Sequence, residues 1–255
     1  MIGLVRAEWV KLFTTRVWIG LLLGACALVG GLTALLTGLA GQAGNNGQQG
    51  LPPVADSQFQ QVALSQITNA TVFVVILGII GMTQEFRHRT ATPTFLTTPR
   101  RERVVLAKLV AYLLVGIPFA AVATGVNLAV LEIYARARGA APSLAGDNLR
   151  VIAGAGTAVI IYALIGVGVG ALLRNQVGAI VAALVYLYVA EPVIAAIGPI
   201  QSVYKWLPGG ALRAMTTDFG APAVLQPWQG GLLLLGYGLL AAVVGTLFTL
   251  RRDIT

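Results

Sequence analysis

Charge is what this chain has least of. Only 10% of its 255 residues are Asp, Glu, Lys or Arg, where a soluble domain carries roughly 25%. A water-facing globular surface of ordinary size is therefore excluded. Histidine and cysteine occur once each, as His88 and Cys26. Cys26 has no partner for a disulfide within the chain and, inside an apolar segment, reads as a small apolar residue. With a single histidine and no cysteine cluster there is no zinc-type ligand set, and His88 reads as a surface residue. No GxxxxGK[ST] loop is present, so the chain has no usual means of binding or splitting ATP. The glycines between Gly166 and Gly170 lie inside an apolar segment without a preceding strand, which excludes a nucleotide loop.

Apolar length is what the chain does have. It is 57% hydrophobic, and the apolar residues fall in segments near the ~20 residues that cross a bilayer. The expectation is one all-α membrane domain over residues 1–255 with six transmembrane helices. These are Val17–Leu39, Val62–Met82, a long third span with its core at Leu109–Leu131 and Pro118 as a candidate kink, Val151–Leu173, Val177–Ile197 and Gly231–Leu250. The first exceeds the roughly 7 to 15 residues of a signal-peptide core and is expected to remain in place. Ahead of it, Ile2, Val5, Trp9 and Leu12 stripe one helix face. Residues 1–16 thus read as an amphipathic helix at the membrane surface, the alternative being a plain extension of the first span.

A net charge of +8 would suggest nucleic acid in a soluble protein. Here membrane topology accounts for most of it, and no nucleic-acid partner is expected. Six of the 17 Lys and Arg fall between the second span and the start of the third, and the loop at 41–56 has none. Six spans with both termini cytoplasmic place twelve of the 17 inside and five outside. The external loop at 135–150 is a mild exception. Residues 198–229, broken by Pro199, Pro208, Pro222 and Pro227, read as an external region dipping into the outer leaflet as short re-entrant helices. Such backbone survives there only when buried in protein.

The cytoplasmic loop 83–103 reads Gln84-Glu85-Phe86-Arg87-His88-Arg89-Thr90, then Leu96-Thr97-Thr98-Pro99-Arg100-Arg101-Glu102-Arg103, with Lys108 following. An acid at the end of span two, an Arg/Thr stretch, Leu-x-x-Pro, more arginine and a lysine entering span three resemble permease subunits of type-2 ABC exporters. Two further stretches match in order. Ala7-Glu8-Trp9-Val10-Lys11-Leu12 resembles that family's elbow helix, and Gly166 through Leu173-Arg174-Asn175-Gln176 resembles its fourth-span exit. Lys205-Trp206-Leu207-Pro208 looks like its outer re-entrant region.

The resemblance implies a coupling role for Glu85, Arg87, Arg89, Pro99, Arg101 and Lys108, and an elbow role for Glu8, Trp9 and Lys11. Without it, the arginines are equally explained by topology and anionic headgroups, although acids contribute little to topology, so Glu85 and Glu102 suggest pairing. It also implies a partner ABC ATPase that carries ATP and Mg, since this chain holds no cofactor. A second permease copy is expected, most simply as a homodimer, in a bacterial inner membrane. High arginine and alanine point to a GC-rich, actinobacterial-type source.

Within the membrane, Glu191 lies about 14 residues into span five, some ~21 Å from its inner end. An intramembrane acid suggests substrate contact, and the following Pro192 argues as well for a capping role where the span breaks. Asn69 and Asn127 either line a translocation path or bond between helices. Gly20-x-x-x-Gly24 and Gly166-x-x-x-Gly170 permit close helix approach within the subunit or between subunits. The expected function is ATP-driven export of a hydrophobic or amphipathic molecule, drug, lipid or peptide. The competing readings are a membrane enzyme acting on lipids and a channel or sensor without an ATPase.

Overall fold

The computed structural model describes residues 2–42, 51–87, 101–197, 201–216 and 225–251. Every regular element among them is helical, as lipid requires of segments that must satisfy their own backbone hydrogen bonds. Helix α1 (Ile2–Thr14) leads into α2 (Val17–Leu39). Helix α3 (Ser57–Ser65) passes through a 3-10 turn at Gln66–Ala70 into α4 (Thr71–Arg87). Then come α5 (Arg101–Ala137), α6 (Asp147–Leu173) and a composite of α7 (Gln176–Val185), a π turn at Tyr186–Ala190 and α8 (Glu191–Ala196). Two short helices, α9 (Gln201–Tyr204) and α10 (Pro208–Thr216), precede α11 (Pro227–Arg251).

Five rods among the described residues are long and apolar enough to cross a membrane: Val17–Leu39, Ser57–Gln84, Arg103–Ala137, Asp147–Leu173 and Gln176–Ala196. Helix α11, with 25 residues, extends about 37 Å at 1.5 Å per residue and occupies the place of the expected sixth span. The second and third rods outrun their hydropathy limits, because a helix continues past the apolar slab until something stops it. Asp56 sets the start of α3 by accepting from the Gln58 amide at 2.7 Å, an N-cap bond. At the other end of that rod, α4 continues to Arg87 and α5 begins at Arg101, so the described parts of the 83–103 segment are helical. Pro118 lies inside α5.

Helix α6 is the hub, packing against α3, α4, α5, α10 and α11. Its crossing with α4 depends on missing side chains. A Cβ on Gly78 would meet the Val167 amide nitrogen at 2.8 Å, and one on Gly166 would overlap the backbone of Val75. Glycine at both positions lets the backbones approach closely enough for dispersion contacts to hold them. The Gly166 and Gly170 pair therefore serves inside the subunit, against α4. Gly24 faces the Phe73 ring, while Gly20 opens onto space. The most apolar windows of α2 and of the α7–α8 rod are 17% buried, against 56% to 61% for the other three, so these two rods form the periphery.

The bundle has two ends. One, the arginine-rich end, gathers α1, the last turns of α4 and the first turns of α5. At the opposite end Arg138 donates to the carbonyls of Ala40 at 3.1 Å and Gly38 at 2.8 Å. It thereby satisfies acceptors that the end of α2 leaves open.

Candidate functional site

At the arginine-rich end, α1 lies against α5 through a buried charge cluster. Lys108 is 1% exposed and Glu8 5%. The Lys108 ammonium donates to Glu8 Oε2 at 2.6 Å and to the Gly81 carbonyl at 3.1 Å, while Lys11 donates to Glu8 Oε1 at 2.9 Å. One lysine thus links three helices: α1 through Glu8, α4 through Gly81 and its own α5. The stripe expected on α1 is modified accordingly. Leu12 is buried, but Ile2 is 87% exposed and the acid Glu8 takes a buried position, because its charge is matched by Lys108. Trp9 stacks edge-on to Phe13 at 5.7 Å, and Phe13 to Trp18 at 5.2 Å, an aromatic run of the kind that favours a membrane interface. Arg89 and Pro99 lie outside the described residues. Glu85, Arg87 and Arg101 are placed as helix-end backbone positions.

Asn127 is fully buried and donates to Thr33 Oγ1 at 2.8 Å and to the Ala63 carbonyl at 2.9 Å. It ties α5 to α2 and α3. Asn69 stands elsewhere: it donates to the carbonyl and the side chain of Gln66 at 3.0 Å each and borders a cavity of about 330 Å³. The same cavity is lined by Glu191, Tyr162, Tyr188, Tyr204 and Arg213. The structure thus brings Asn69 and Glu191 together and sets Asn127 apart.

Local chain chemistry delivers Glu191 to this wall. Pro192 has no amide hydrogen and its ring crowds the preceding turn. The helix widens ahead of it into the Tyr186–Ala190 π turn, where the Glu191 amide donates five residues back to Tyr186. Glu191 is 5% exposed, and its Oε1 accepts from the Gly209 amide at 2.7 Å, at the first turn of α10, where a helix presents open donors and the positive end of its dipole. The Tyr186 side chain lies near the same carboxylate. Tyr162, from the middle of α6, is 1% exposed, and its hydroxyl has no hydrogen-bond partner. Tyr204 lies outside the crossing rods. Burial pushes its phenol above the ordinary value, the Glu191 charge adds to the rise, and Arg213 opposes it.

The model of the family described as ABC-2 family transporter protein matches residues 4–190. The chain belongs to that family. A comparison with curated proteins finds no match. The match runs from α1 to the π turn, so it covers the Glu8–Lys108 cluster, Asn69 and Asn127. It stops one residue short of Glu191. This ABC-2 chain is accordingly a multi-pass membrane protein and the permease component of an ABC transporter, and its family implies an ABC ATPase as partner.

Sequence reasoning singled out Glu8 and Lys108 of this permease separately but had no way to pair residues 100 positions apart. Gly81 contributes only a carbonyl and carries no side-chain signal. Tyr162 was likewise unmarked, since a tyrosine within an apolar span is commonplace. Glu191 and Asn69, polar residues within apolar spans, were the available hints of a polar wall.

Proposed function

We propose that this ABC-2 permease is the membrane half of an exporter that moves an amphipathic or hydrophobic molecule outward, driven by a separate ABC ATPase. In this reading the arginine-rich end faces the cytosol and both termini lie there. Two copies of the chain, twelve crossing helices in all, assemble with two ATPase subunits in a bacterial inner membrane. ATP-driven closure of the ATPase pair pushes on the 83–103 segment, and the push moves α4 and α5 between inward-open and outward-open states. Alternation between two populated states, each favoured by a different ligand, does the transport.

The observation that carries this is the Lys108 junction. A lever works only if it is stiffly joined to what it moves, and Lys108 bonds the start of α5 to both α1 and α4 at 2.6 Å and 3.1 Å. Buried ion pairs of this sort resist separation, because parting them leaves an uncompensated charge. The alternative in which these basic residues merely set topology does not require a lysine that is 1% exposed.

The test is co-purification of the tagged chain with an ABC ATPase, followed by Glu85→Lys. The variant is expected to insert and to retain its ATPase partner, while ATP hydrolysis no longer drives export. Full export by Glu85→Lys, or a purified complex without an ATPase, contradicts the proposal.

A further inference from the structure

The cavity at the opposite end holds a buried hydroxyl without a partner beside a buried carboxylate. A polar group left unsatisfied in a low-dielectric interior is destabilising, so a Tyr162 hydroxyl at 1% exposure with no partner marks a place where an acceptor belongs. Within the same wall, Glu191 receives the Gly209 amide. An ionised carboxylate accepts at about four lone-pair positions and donates at none, so its negative charge can still be met by a cation arriving from the cavity. Tyr162, Tyr188 and Tyr204 line the same space, and aromatic faces beside a carboxylate attract an organic cation. The volume, about 330 Å³, falls at the lower end of small-molecule sites, which run from roughly 300 Å³ upward.

A group whose ammonium sits next to an oxygen acceptor fits both the Glu191 carboxylate and the Tyr162 hydroxyl. We propose that this cavity binds the amino-alcohol headgroup of an amphiphile, its ammonium directed to Glu191 and its oxygen accepting from the Tyr162 hydroxyl. This deepens the export reading by giving the transported class a chemistry, and it rests on that reading for the identity of the occupant. Two sources share the chemistry: a phospholipid headgroup of the surrounding leaflet, and an exported amphiphile with an ammonium head.

The experiment needs neither transport nor the ATPase, so its failure leaves the coupling proposal standing. The full chain is placed in phosphatidylglycerol nanodiscs, which contain no ammonium. Choline is then titrated beside its uncharged isostere 3,3-dimethylbutanol. Choline is expected to bind and the isostere at least tenfold more weakly. Glu191→Gln, whose amide oxygen can still accept from Gly209, should weaken choline about tenfold or more, because a quaternary ammonium has no N–H to donate and is held by the carboxylate's charge, which the variant removes. Tyr162→Phe should weaken it about two- to tenfold, the range of a neutral bond, and it keeps the ring in place should the glutamine variant fold poorly. Glu132→Gln, at the exposed Arg136 pair, should change nothing. Loss of choline binding when phosphatidylcholine replaces phosphatidylglycerol assigns the site to lipid headgroups, and retained binding assigns it to an exported amphiphile. Equal binding of choline and its isostere, or unchanged choline affinity in both variants, overturns the proposal and leaves Glu191 as a cap of α10.

Discussion

Two carboxylates of this permease are buried to the same degree and handled in opposite ways. Glu8 and Glu191 are each 5% exposed. Glu8 receives two ammonium groups, from Lys108 and Lys11, and joins α1 to α5 at the arginine-rich end. Glu191 receives a backbone amide, and it borders a cavity. The contrast teaches how burial divides into mechanical and receptive uses. A charge matched by opposite charge has its interactions filled and acts as a joint, whereas a charge held by neutral donors beside a void keeps capacity for a visitor.

Breaking the joint should give the largest effect. Lys108→Met leaves Glu8 buried without its closest cation and should cost about 3–5 kcal/mol, read as a fall in thermal unfolding temperature of the purified chain in detergent. Adding Glu8→Gln to Lys108→Met should restore part of that loss, since no buried charge is then stranded; a purely additive double variant would deny the coupling. Next in size is the frame connecting the two ends. Gly166→Ala drives a methyl into the Val75 backbone and should cost about 1–3 kcal/mol as overpacking, seen as a lower yield of monodisperse protein and a lower unfolding temperature.

Asn127→Ala removes two bonds, to Thr33 and Ala63. Each such bond within a membrane averages about 0.6 kcal/mol, so a loss near 1 kcal/mol is expected, and a much larger one would make Asn127 a joint comparable to Lys108. The smallest effect belongs to Glu191→Gln. Its amide can keep the Gly209 bond, so stability should fall by less than about 1 kcal/mol, the net worth of one typical hydrogen bond. A loss as large as that of Lys108→Met would erase the distinction between joint and receptor.

The helical rods were legible because lipid imposes a length and an apolar composition that hydropathy reads directly. Their ends were less so. Asp56 extends the second rod to Ser57 through a capping bond, a local effect that a hydropathy window averages away. Glu191 stood out as an acid within an apolar span, and the π turn before it follows from Pro192, which was noted as a break. The cavity itself was beyond reach, because Asn69, Tyr162, Glu191 and Arg213 come from four separate segments that meet only after packing. The same holds for Lys108 with Glu8: both were singled out by type and position, yet their contact is a property of how α1 lies against α5.

The central claim is that the segment 83–103 faces the cytosol, where an ATPase can push on a frame stiffened at Lys108. Cysteine accessibility tests it most directly. In a Cys26→Ala background, Thr90→Cys is treated in intact cells with a membrane-impermeant maleimide, with Leu51→Cys as the outward-facing comparison. The account predicts labelling of Leu51→Cys at once and of Thr90→Cys only after permeabilisation. Labelling of Thr90→Cys in intact cells would contradict it.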